Sequence, residues 1–232
     1  MPTPWEVDTA EYAEKSKLVS AQDTFPYGVI FSSDGSKMYI LGYSHNTVYQ
    51  YTLSTPWDVS TAEYSEKSKY VGAQDTSPRD LTFSSDGSKM YIMGDSTDTV
   101  YQYALSTPWD VSTAEYAEKF KLISAQDTFP YGVTFSFDGS KMYIIGDNTD
   151  TVYQYALSTP WDVSTAEYSE KSKDVSAQDT APRDLIFSSD GSKMYIIGYN
   201  TTSVHQYTLP APPPPPKKEA SRTGIYSFKT LS

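Results

Sequence analysis

Trp5, Trp57, Trp109 and Trp161 stand 52 residues apart, each inside a Thr-Pro-Trp-Asp/Glu-Val phrase. The chain is one unit written four times. A unit of this length is too short to bury an apolar face alone but can stack on its own copies, which is the pattern of a repeat array with one shared core. Residues 1–209 form the array, 210–218 are a Pro-rich linker, and 219–232 are a C-terminal tail.

Within a unit the apolar residues alternate with period two between turn signals. In the second copy, Asp80–Ser84, Lys89–Met93, Thr99–Leu105 and a stretch from about Glu115 to Ile123 read as strands. Four antiparallel strands per unit make a propeller blade, so the expected fold is an all-β propeller of four four-stranded blades. Each first hairpin turns on Asp-Gly (Asp34-Gly35, Asp86-Gly87, Asp138-Gly139, Asp190-Gly191), where Gly supplies positive φ and Asp bonds back to the turn amides. That favours a turn over a metal ligand. Ser60-Thr61-Ala62-Glu63 and its copies have capping-box spacing and predict a helical turn, with the preceding Trp as a packing anchor between blades.

The sequence starts at the connection into a fourth strand, and its last unit runs through a third strand to Leu209. Residues Glu11 to Val19 are therefore expected to close the last blade as its outer strand. One chain forming a four-bladed monomer and two chains forming an eight-bladed homodimer both satisfy this pattern.

The segment Pro26-Tyr27-Gly28-Val29-Ile30-Phe31-Ser32-Ser33-Asp34-Gly35-Ser36-Lys37-Met38-Tyr39-Ile40, followed by Asn46-Thr47-Val48, resembles the YVTN-type β-propeller repeat, related in pattern to lactonase-like and NHL propellers. The resemblance covers all four units. It implies blades, and such repeats serve enzymes and binding scaffolds alike. The Trp-Asp-Val-Ser-Thr-Ala-Glu-Tyr connection makes this unit longer than the family's usual one.

Charge is unevenly placed. Residues 1–209 carry 14 Lys/Arg against 28 Asp/Glu, while the remainder is basic through Lys217, Lys218, Arg222 and Lys229. An acidic body repels phosphate backbones, which excludes nucleic acid as a partner. With no Cys there are no disulfides and no thiolate metal sites. Neither a signal peptide nor a membrane-inserting segment is read, and a virion, tail-appendage or extracellular surface is the expected setting. In the tail, Ile225, Tyr226, Phe228 and Leu231 form a strand-like pattern expected to dock on a protein partner's sheet edge.

The four copies differ in pairs. The first and third share Tyr-Gly at Tyr27 and Tyr131, while the second and fourth share Arg-Asp at Arg79-Asp80 and Arg183-Asp184. In a closed ring of four, Arg79 opposes Arg183 and Tyr27 opposes Tyr131. The resemblance places these residues on the propeller's ligand face, so the candidate site is Tyr27, Asp75, Arg79, Asp80, Tyr131, Asp179, Arg183 and Asp184, with Asp95, Asp98, Asp147 and Asp150 from neighbouring loops. Such a face suits a glycan or a hard cation, which leaves calcium open though no cofactor is expected. The structural alternative is that the Arg and Asp pair locally and the other Asp residues cap turns.

No catalytic constellation stands out. His45 and His205 occupy non-equivalent places in their units, and neither a Gly-x-Ser-x-Gly elbow nor a phosphate loop is present. Side chains that recur two or four times favour multivalent binding over catalysis. The expected function is thus a non-catalytic structural or recognition propeller, followed by a glycan-binding lectin, then a metal-dependent lactonase-like hydrolase.

Overall fold

The computed structural model describes residues 11–209. These fold as four blades of an all-β propeller, as the repeat requires. The first blade is β1 (Pro26–Phe31), β2 (Lys37–Gly42), β3 (Thr47–Leu53) and β4 (Ala62–Tyr70). The second is β5 (Pro78–Phe83), β6 (Lys89–Gly94), β7 (Thr99–Leu105) and β8 (Ala114–Leu122). The third is β9 (Pro130–Phe135), β10 (Lys141–Gly146), β11 (Thr151–Leu157) and β12 (Ala166–Asp174). The fourth comprises β13 (Pro182–Phe187), β14 (Lys193–Gly198) and β15 (Val204–Thr208). Each sheet runs in chain order with antiparallel neighbours, and the first strands of successive blades lie against one another as the inner wall.

The core sits between blades. Tyr39, Leu41 and Val48 of the first blade pack on Leu81, Phe83, Met90 and Ile92 of the second. Tyr91, Met93 and Val100 repeat the contact with Val133, Met142 and Ile144 of the third. Alternation along each strand thus supplies two apolar faces, one for each neighbour, and burial of each such side chain stabilises by about 1.5–3 kcal/mol.

The Asp-Gly turns form as read. Asp34 accepts from the Ser32 hydroxyl at 2.7 Å and the Ser36 amide at 3.0 Å, with Gly35 at φ 70°. These serine and amide donors hold Asp34, Asp86, Asp138 and Asp190 down to about 2. The helical turn is a 3-10 turn at Val59–Thr61, capped by Asp58 rather than by the Ser60 capping box, and Glu63 already belongs to β4. Asp58 takes the cap because its carboxylate accepts from the Ser60 amide at 3.1 Å and from the Ser60 hydroxyl at 2.6 Å, which occupies the serine. The tryptophans are packing anchors: Trp109 lies 5.3 Å from the Phe83 ring and stacks 6.4 Å from Tyr39 across the seam.

The expected closing strand is a correction. Among the described residues the fourth sheet has three strands, and residues 11–19 form no strand. They lie instead beside the first blade, where Lys15 Nζ reaches Asp58 at 2.6 Å and Lys17 Nζ reaches Glu63 at 3.8 Å. Among the described residues no blade covers the outward faces of the first and fourth blades. Val29 is 64% exposed where Leu81, Val133 and Leu185 are at most 3%, and Ile197 and Val204 are about half exposed where Leu41 and Val48 are sealed. The linker and tail, with Ile225, Tyr226, Phe228 and Leu231, lie outside the described residues.

Candidate functional site

The inner strands each carry a β-bulge at their start. Pro78 pairs with Gly94 and Asp80 with Met93, so Arg79 is the extra residue, and the same shift isolates Tyr27, Tyr131 and Arg183. A bulge re-aims the side chain it frees. Here it turns four chemically distinctive side chains onto one rim.

The four form a ladder of alternating cations and rings. The Arg79 guanidinium lies 5.2 Å from the Tyr27 ring centroid, 5.4 Å from Tyr43 and 5.0 Å from Tyr131. Arg183 lies 3.9 Å from the Tyr131 centroid and 5.1 Å from Tyr199. Arginines and tyrosines alternate along the wall, because each blade sets its bulged residue beside the unlike residue of the next. Each contact adds cation–π attraction, strongest where water is excluded. Asp95 binds Arg79 through both Nε and Nη2, and Asp147 takes Arg183 Nη1 at 2.9 Å, which leaves the rim polar with its charge balanced.

Beneath the ladder are the carboxylates. Asp80 accepts from the Leu81 amide and, across the seam, from the Val133 amide, both at 2.8 Å; Asp184 accepts from the Leu185 amide at 2.7 Å. Burial, with the Asp184 charge adding to it, holds the Asp80 carboxyl well above the ordinary carboxylate range. Asp184 keeps surface open to solvent, while the part of it set into the wall is desolvated, which raises its carboxyl to about 6. The two are coupled through charge, so the pair favours holding a proton. Room for each comes from a glycine: a Cβ on Gly28 would stand 2.8 Å from Leu81 Cδ2 and 3.4 Å from Asp80 Oδ1, and one on Gly132 only 2.9 Å from Asp184 Oδ1.

Asp75 and Asp179 are not on the open face, contrary to expectation. Both are 2% exposed and point inward. Asp75 accepts from the amides of Ser77, Ser96 and Thr97 and from the Thr97 hydroxyl, while its carboxylate fills the space against Gly94. Asp179 does the same with Ala181, Asn200 and Thr201. These are loop clamps. His45 belongs to the same device, its Nδ1 lying 3.0 Å from Asp23 where the other copies use a threonine hydroxyl. His205 sits 3.0 Å from the Thr201 hydroxyl. Sequence reasoning missed Tyr43 and Tyr199, which follow Gly42 and Gly198 where the middle copies have Asp95 and Asp147. That exchange of Tyr for Asp was the available signal.

Among the described residues no group of three or more His, Asp or Glu is arranged to hold a metal ion. No helix among them is long and apolar enough to cross a membrane.

The family described as "Lactonase, 7-bladed beta-propeller" matches residues 26–210, well over half of the 232-residue chain. The chain belongs to the lactonase family. This membership corrects the expectation of a non-enzyme, which rested on repetition of side chains: repeated blades are the family's own architecture, and a hydrolase reading now comes first. Among solved structures, a putative 6-phosphogluconolactonase from Bacteroides uniformis superposes with a TM-score of 0.56 at 16% identity, over 79% of this chain and 50% of that one. The periplasmic gluconolactonase of Pseudomonas aeruginosa gives 0.51 at 17% identity, over 79% and 49%. A protein from Lactobacillus plantarum gives 0.56 at 17% identity, over 79% and 50%. At this identity the likeness is one of fold. This family member spans about half the length of the structures it matches. No curated protein matches the chain.

Proposed function

We propose that this chain hydrolyses the lactone of a sugar acid at its inner wall. The observation that carries this is the pair Asp80 and Asp184, held by backbone amides on the inner wall beneath the Arg–Tyr ladder, in a chain of the lactonase family. Hydrolysis of a lactone needs one base and one acid. The ionised member of the pair takes a proton from water as the water oxygen bonds to the lactone carbonyl carbon. The ring C–O bond then breaks, and the protonated member gives its proton to the departing ring oxygen, so the product is the open hydroxy acid. Two carboxyls that resist joint ionisation supply both states near neutral pH. The ladder suits the substrate's other side: tyrosine faces pack on sugar C–H groups, and the guanidinium edges and Asp95 and Asp147 offer donors and acceptors to its hydroxyls.

The test is hydrolysis of glucono-1,5-lactone by the whole chain, corrected for the spontaneous rate, with Asp80→Asn and Asp184→Asn alongside. A loss of roughly 100-fold or more in kcat for each variant, the scale of general acid–base catalysis, supports the proposal. Turnover equal in all three proteins, or none above background, rejects it. Binding of the sugar without turnover assigns the same wall to glycan recognition instead.

A further inference from the structure

Two of the seams between blades carry the same plug. At the first, the Trp109 carbonyl accepts the Tyr39 hydroxyl at 2.7 Å, the Val111 amide donates to Gln50 Oε1 at 3.0 Å, and Lys67 Nζ reaches Asp110 at 2.6 Å. The Trp109 ring closes over Gly87, 2.3 Å from where a Cβ would stand. At the second, Trp161, Val163 and Asp162 make the same contacts with Tyr91, Gln102 and Lys119.

The third seam has every receptor and, among the described residues, no plug. A cavity of about 630 Å³ lies between the third and fourth blades, lined by Phe135, Tyr143, Gln154, Phe187 and Gly191. Lys171 borders the adjoining hollow of about 260 Å³. Among the described residues no atom comes within 4 Å of where a Cβ on Gly191 would stand, whereas a tryptophan covers each of its three counterparts.

We propose that the Trp5-Glu6-Val7 phrase of a second copy fills this groove, so that two chains close one eight-bladed ring. The phrase has the chemistry of the plug: an indole for Gly191 and Phe187, a carboxylate for Lys171, and a Val amide for Gln154. The chain's own continuation does not. At the offsets from Leu209 that Trp109 and Val111 hold from Leu105 stand Pro213 and Pro215, and proline has no N–H to give Gln154.

A second copy is specified by where residues 11–19 lie. Lys15 binds Asp58 as Lys67 binds Asp110, so this segment occupies the place of the outer strand of a blade preceding the first. Among the described residues no blade fills that place, and Val29 faces it 64% exposed. Among the described residues the fourth blade has no outer strand and exposes Ile197 and Val204 on its forward face. The inner strands contact in the order β1, β5, β9, β13, and among the described residues β13 makes no comparable contact with β1, so one chain's own fourth blade does not pack on its first. A partner's fourth blade set against this first blade pairs the partner's β15 with residues 11–19 and carries Trp5 into the partner's groove. The same contact made in reverse completes a two-fold ring with no free edge.

The experiment is mass in solution by light scattering over a range of concentrations. Twice 25.9 kDa is expected for the full chain, and 25.9 kDa throughout overturns the proposal. Trp5→Ala is expected to weaken the dimer roughly 30-fold or more, the effect of truncating an interface anchor. Glu6→Lys and Lys171→Glu are each expected to weaken it, and the two together in one chain to restore it. Circular dichroism confirms that the variants are folded. A dimer that none of these substitutions alters places the contact elsewhere and overturns the assignment.

Discussion

Asp80 Oδ2 accepts the Val133 amide at 2.8 Å, so a titratable carboxyl of the second blade is a seam bond to the third. Its raised pKa, from burial and then the charge of Asp184, means the fold keeps a proton that the unfolded chain releases above about pH 4. Folding therefore takes up protons, and this contribution to stability is full at low pH and falls as pH rises through the folded-state value. In urea unfolding at pH 5 and pH 8, wild type is expected to lose about 1 kcal/mol or more relative to Asp80→Asn over that interval. Parallel behaviour of the two proteins would show that the carboxyl titrates normally.

Gly87 and Gly191 share φ near 70° but not their surroundings. At Gly87 a new methyl meets both left-handed strain and the Trp109 ring, while at Gly191, among the described residues, it meets strain alone. In the Trp5→Ala chain, which leaves no indole to dock on Gly191, thermal and urea unfolding should give a loss of about 2–4 kcal/mol for Gly87→Ala and about 1 kcal/mol for Gly191→Ala. Equal losses would mean that the indole yields without cost.

Asp75→Ala removes the acceptor of three loop amides and a hydroxyl in a sealed place. Unpaired buried donors are costly, so a destabilisation of about 3 kcal/mol or more is expected in urea. Lactone turnover per folded molecule should be unchanged. A selective loss of activity would move Asp75 from the clamp into the site.

Tyr131 is the shared ring between Arg79 and Arg183. If it holds substrate in the ground and transition states alike, Tyr131→Leu raises KM by about tenfold with kcat little changed. A fall in kcat at constant KM would assign the ring a part in the chemical step.

The blades were legible because their signals are local. Lys89–Met93 was read and β6 spans Lys89–Gly94; Glu115 to Ile123 was read and β8 spans Ala114–Leu122. Period-two alternation and Asp-Gly turns carry that information within a few residues. The pairing of Arg79-Asp80 against Tyr131-Gly132 was legible only as a difference between copies. Its geometry was not, because a bulge adds a residue without disturbing the apolar pattern, and because neighbour relations depend on how far each blade turns. Asp75 and Asp179 were misplaced for a similar reason: an Asp before a turn looks the same in sequence whether it faces solvent or the loop amides.

The fit of Asp184 over Gly132, and of Asp80 beside Gly28, gives the array a parity. Moving a blade by 52 positions would set carboxyl against carboxyl at one seam and leave a void at the next. Moving it by 104 would leave every seam as it is. Duplication or deletion of blades is therefore tolerated in twos, and a lineage of such chains should count its blades in even numbers.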